Sequence, residues 1–170
     1  MKTALFVLLM LAGAYGQATH ADDAVNDGLQ IELRTDVRQV HIDDYIQVTV
    51  FFRSPSKEIT LWNDFSWGVN TGLDLKVRDA AGKEVQTSLT IVPNDPFPPG
   101  EDSWLSIGGS VFAGFDSRIA ASTLFPKPGQ YMIRCIYIPK LSHKYFKGQT
   151  LWGKEDGSRQ SNRVSIVVEP

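Results

Sequence analysis

Residues 46–52, Ile-Gln-Val-Thr-Val-Phe-Phe, decide the fold class. Ile46, Val48, Val50 and Phe52 share one parity, and Gln47, Thr49 and Phe51 the other. Successive strand residues point to opposite faces, so one row turns to a core and the other toward water. The same period of two recurs on both sides of this stretch. Ile31 and Leu33 alternate with Glu32 and Arg34, and Ile59 with Leu61 repeats the pattern. Leu73, Leu75 and Val77 alternate with Asp74, Lys76 and Arg78, and Leu89 and Ile91 follow. Residues 130–138 are apolar on both faces, and Val164, Ile166 and Val168 close the chain.

Turn residues separate these runs. Ser54-Pro55-Ser56 divides the second from the third. Asp79-Ala80-Ala81-Gly82-Lys83 reads as a hairpin connection, with Gly82 free to take positive φ. Residues 93–99, PNDPFPP, end a strand, because proline cannot donate to a ladder. Lys127-Pro128-Gly129-Gln130 is a further turn. No helical period follows the leader. The pattern predicts an all-β sandwich or barrel, and the fold class adopted is a single antiparallel β-sandwich of about seven to nine strands. Residues 62–72 and 139–162 do not fit a plain strand count and read as long loops, which are usually functional or mobile.

The beginning of the chain predicts where it works. Lys2 precedes the apolar run ALFVLLMLA at residues 4–12, and small residues follow in Ala14-Tyr15-Gly16. This order is that of a cleavable signal peptide, and the run is too short to span a bilayer as a helix. The expected division is a signal peptide over residues 1–18, a loose polar lead-in over 19–27 and one domain over 28–170. A secreted or periplasmic product follows, with no membrane span after signal removal. Of 17 Lys and Arg and 19 Asp and Glu, only Lys2 falls in the leader, so the remainder is one charge more negative than the chain's −2. That balance, with no basic patch along the sequence, gives no electrostatic case for nucleic acid. Cys135 is the single cysteine, so no intramolecular disulfide forms; its apolar neighbours predict a packed small hydrophobe.

The segment Pro128-Gly129-Gln130-Tyr131-Met132-Ile133-Arg134, a P-G-x-Y turn feeding an apolar strand, resembles the late strands of immunoglobulin-like and fibronectin type III-like sandwiches. Ser161 to Val168 resembles the closing strand of such a domain, and DAAGKEV at residues 79–85 a mid-domain hairpin. The resemblance implies a tyrosine corner in which the Tyr131 hydroxyl ties back to the preceding bend. The chain departs from antibody domains because it lacks the second cysteine of the inter-sheet disulfide. The fold by itself implies no activity.

Candidate sites are few. Trp62, Phe65 and Trp67 crowd one loop, Phe97 and Trp104 flank the proline-rich segment, and Trp152 lies in the late loop. Flat apolar rings with a polar handle suit a platform for a protein or glycan ligand, and equally suit caps over the open ends of a sandwich. The late loop interleaves Lys140, His143, Lys144, Lys147 and Lys154 with Tyr145 and Phe146, either a patch for an acidic partner or a solvated hairpin face. Asn94, Asp95, Glu101 and Asp102, with Asp43 and Asp44 elsewhere, supply hard oxygens, but no calcium-loop or zinc spacing accompanies them, so no metal and no cofactor is assigned. His41 with Asp43 and Asp44 is the single local acid–base trio, and no nucleophile motif accompanies it. The expectation is an exported, non-catalytic binding module that uses tryptophan-rich end loops. The alternatives are a protease inhibitor presenting residues 94–100, stiffened by Pro93, Pro96, Pro98 and Pro99, and a structural or assembly subunit.

Overall fold

The computed structural model describes residues 28–63, 65, 67, 72–89, 104–143 and 151–170. The expected leader, the lead-in and the proline-rich segment with Phe97 and its acidic cluster lie outside the described residues, as do Lys144, Tyr145, Phe146 and Lys147. The described chain is all-β, with antiparallel pairing dominant. Its strands are β1 (Gln30–Thr35), β2 (Gln39–His41), β3 (Tyr45–Arg53), β4 (Ile59–Trp62), β5 (Leu73–Asp79) and β6 (Glu84–Val85). They continue as β7 (Trp104–Ile107), β8 (Ala113–Ala120), β9 (Gly129–Tyr137), β10 (Arg159–Gln160) and β11 (Val164–Glu169). One four-residue helix, α1 (Ala121–Leu124), follows β8.

Eleven strands exceed the expected number for two reasons. β2, β6 and β10 are two or three residues long, too short to show a period. β7 and β8 carry weak inward rows; on β8 the row is Ala113, Phe115, Ser117 and Ile119, diluted by Ala and Ser. Leu89, expected in a strand, lies outside any.

The strands form a three-stranded sheet in the order β1-β3-β8 and a larger one in the order β2-β11-β9-β5-β6, with β10 also on β9. A small sheet pairs β4 with β7. The chain enters the first sheet through β1, antiparallel to β3, and then crosses to the second through β2, parallel to β11. Asp36 holds this crossing: its N–H donates to Gln47 O at 3.2 Å, and its carboxylate accepts from Gln47 N–H at 3.0 Å.

The two larger sheets share one core. Ile46, Val48, Val50 and Phe52 of β3 are fully buried, as their parity predicts. They meet Leu73, Leu75 and Val77 of β5, and Tyr131, Ile133, Cys135 and Tyr137 of β9, in the same cluster. Phe52 contacts Tyr137 edge-on across the core at 5.6 Å between ring centroids. Cys135 is buried here, and burial pushes its thiol pKa well above the usual range. The segment of β9 reads in sequence as apolar on both faces, but its outward row mixes Gln130 and Arg134 with Met132 and Ile136, while Tyr131, Ile133, Cys135 and Tyr137 are buried on the other side. Two connections behave as read. The Asp79–Lys83 turn closes with Gly82 at φ 78, and the Tyr131 hydroxyl donates to Lys127 O at 2.8 Å.

Candidate binding face

Of the aromatic residues singled out in the sequence, Phe65, Trp67 and Trp152 are engaged in packing. Phe65 stacks on Phe52 at 4.6 Å and 15°, and Trp67 meets Phe115 edge-on at 5.5 Å. Trp152 is buried, its Nε1–H donates to Gly157 O at 3.1 Å, and Arg159 covers its ring at 4.5 Å. Its backbone N–H donates to Thr60 O, so the late loop lies along the small sheet. Trp62 and Trp104 are register partners across β4 and β7, and both are half-buried. The four indoles thus do not lie together on one exposed surface.

The acid–base candidates do not converge. His41 Nδ1 lies 2.7 Å from Pro170 O and its Nε2 3.7 Å from Glu169 Oε2, so the ring serves the chain end and not Asp43 or Asp44. In the late loop, Ser142 Oγ donates to the Glu155 carboxylate and His143 Nε2 pairs with Asp156 Oδ2 at 2.5 Å. Hydroxyl and imidazole each end on a carboxylate, which leaves no nucleophile–base pair there. Among the described residues no group of three His, Cys, Asp or Glu is placed to hold a metal ion, and no helix is long and apolar enough to cross a membrane.

The late-loop pairs form a clasp with a pH signature. Asp156 Oδ2 also accepts from Gly153 N–H at 2.7 Å, and Glu155 Oε2 from His143 N–H at 3.1 Å. The hydrogen bond to Asp156, before any charge effect, raises the His143 pKa. The Ser142 hydroxyl first, with the loop's backbone N–H groups, lowers Glu155 to about 2. A raised imidazole contributes below its ordinary value of about 6.5 and loses that contribution as pH rises through its folded value. A lowered carboxylate contributes above about 4.3 and loses it as pH falls toward its folded value. The clasp is therefore tightest between roughly pH 4.3 and 6.5. In an NMR titration, Asp156→Asn is expected to return the His143 pKa toward 6.5 and to speed exchange of the Gly153 amide. An unmoved titration would remove the His143–Asp156 pair from this account.

The surface that converges is the outer face of the larger sheet, a shallow groove of roughly 660 Å³. Strand alternation sends Lys76 and Arg78 of β5, Met132, Arg134 and Ile136 of β9, and Ser165 and Val167 of β11 to this side, with Arg163 just before β11. Register sets Arg78 opposite Met132, Met132 opposite Ser165, and Lys76 opposite Arg134. The carboxylates nearby are already committed. Asp74 and Glu84 hold Lys76 at 3.1 and 3.0 Å, and Asp79 accepts from the N–H groups of Ala81 and Lys83 in its own turn. Among the described residues no carboxylate pairs with Arg78, Arg134 or Arg163; the Arg134 guanidinium donates to Gln160 Oε1. Burial lowers the Arg134 pKa, and the positive charges of Arg163 and Arg78 add to the effect. Met132 and Val167 stay 37 and 41 % exposed between these groups.

Sequence reasoning missed this face because its three arginines come from segments far apart in the chain, Arg78 on β5, Arg134 on β9 and Arg163 just before β11. Outward parity at Arg78 and Arg134 was the available signal, but parity does not say which strands are neighbours. A second hollow of about 460 Å³, between the Pro55–Glu58 turn and Gly108–Val111, is lined by Lys57 and Glu58, whose charges oppose each other. Compared with known proteins, the chain matches no family model and no curated protein.

Proposed function

We propose that the chain is an exported, immunoglobulin-like β-sandwich that acts as a non-catalytic binding module through the outer face of its larger sheet. Three features support the fold reading: the two sheets around one core, the first edge shared between them by β1 and β2, and the Tyr131 corner. The apolar run of residues 4–12 supports export. The observation that carries the binding reading is the set of three guanidiniums with no ion-paired carboxylate among the described residues, on an open, partly apolar face. Uncommitted charge beside exposed apolar surface is the composition of a recognition surface, where arginine and methionine are enriched.

The test is site-specific photocrosslinking in the native host. A photoreactive residue replaces Met132, or Tyr45 on the opposite sheet as the comparison. Discrete adducts from position 132 and none from position 45 are expected. No adduct at either position, or equal labelling from both, would count against a binding role for this face.

A further inference from the structure

We propose that the face docks an acidic protein segment, with carboxylates meeting Arg78, Arg134 and Arg163 and apolar side chains seated on Met132, Ile136 and Val167. The inference rests on the binding-module reading above and adds the chemistry of the partner.

Charge makes the first argument. The chain as a whole is acidic, with a formal charge of −2, yet this face collects arginines from β5, β9 and the lead into β11. Register sets Lys76 opposite Arg134 and Arg78 two residues along, opposite Met132, so Arg78, Arg134 and Arg163 form an oblique band over neighbouring strands about 4.8 Å apart. The local acids offset the band only in part: Asp74 and Glu84 hold Lys76, Asp79 serves its own turn, and Glu84, the register partner of Arg78 on β6, also feels the Arg78 charge. Arginine is the side chain best built for this pairing, since its planar fork takes a carboxylate through two parallel hydrogen bonds.

The ground between the charges makes the second argument. Met132, Ile136 and Val167 are aliphatic, and methionine adapts its shape to an irregular partner. Among the described residues lining the groove, Tyr131 is the one aromatic, and it is buried. An acidic glycan would satisfy the arginines, but it would find no exposed ring to stack on. A protein segment uses both halves of the surface, so the composition favours protein over glycan.

The probes are soluble synthetic peptides with Glu at alternate positions and Leu or Ser between, the same peptides with Gln for Glu, and a heparin fragment. The mature chain is expected to bind the Glu–Leu peptides, and to bind their Gln counterparts and the Glu–Ser peptides weakly or not at all. Arg134→Glu should weaken binding about tenfold or more, with a flatter salt dependence. Lys57→Glu, in the other hollow, should leave it unchanged. Arg163→Glu gives an independent reading if Arg134→Glu fails to fold, because Arg163 lies exposed outside the strands. Heparin binding without peptide binding would overturn the protein assignment. Peptide binding indifferent to both arginine reversals would overturn the role of the band. If no peptide binds while crosslinks still form at position 132, the partner chemistry is wrong and the binding module stands. If those crosslinks are absent, the underlying reading fails as well.

Discussion

Phe52→Ala is expected to destabilise the fold by about 3–5 kcal/mol, the range for emptying a phenylalanine site in a core. Phe52 is fully buried on β3, stacked on Phe65 and edge-on to Tyr137. It therefore joins one sheet to the other and to the segment after β4. Removing the ring loses its burial and leaves a cavity that two aromatic neighbours, each held by its own contacts, are slow to fill. Phe51 supplies the control one residue away. It points outward, half-buried, beneath Arg34 at 4.8 Å and opposite Gly114 in β8. Phe51→Ala should cost about 1 kcal/mol or less, since it loses a surface cation–π contact and partial burial. Denaturant unfolding of both variants measures the difference. Equal losses would contradict the parity assignment from which the fold is built.

That parity was legible because β3 sets Ile46, Val48, Val50 and Phe52 on one side against Gln47 and Thr49 on the other, with Phe51 the exception in the outward row. β5 does the same, β11 less cleanly because Val167 faces outward, and the Asp79–Lys83 turn closes on a glycine with positive φ. β8 has the same geometry in weaker letters, with Ala113 and Ser117 in its inward row. The resemblance carried by Tyr131 pointed to one hydrogen bond, and that bond is present. The aromatic residues were harder to read, since a sequence does not show which way an indole turns. Phe65 and Trp152 turn inward because each finds a ready surface, the Phe52 ring for one and Gly28 for the other. A Cβ added at Gly28 would sit 2.9 Å from the Trp152 ring. The arginine band was invisible for a topological reason: strand order in the larger sheet makes neighbours of β5, β9 and β11.

Asn162→Ala is expected to destabilise by about 1–2 kcal/mol and to promote self-association through β1. β1 is an edge strand, hydrogen-bonded to β3 on one side. On its free side, Leu33 N–H donates to Asn162 Oδ1 at 2.7 Å and Leu33 O accepts from Asn162 Nδ2 at 3.1 Å. The side-chain amide thus imitates the peptide group of a missing neighbour strand. It comes from the segment just before β11, so it also ties the first sheet to the second. Neighbouring Ser161 holds that segment to the opposite strand: its N–H donates to Cys135 O at 2.9 Å, and its hydroxyl accepts from Cys135 N–H at 3.0 Å. Alanine removes both bonds to Leu33 and opens the edge to pairing with another chain. Asn162→Asp separates the two contributions. Its carboxylate still accepts from Leu33 N–H but cannot donate, and it sets a negative oxygen against Leu33 O. Aspartate should therefore be no more stable than alanine above about pH 5, and should gain relative to it as the carboxyl protonates and can donate again. Amide exchange at Leu33, read alongside denaturant unfolding and sedimentation, follows bond, stability and edge together. Slow Leu33 exchange retained in Asn162→Ala would show that the edge is held by something other than this side chain.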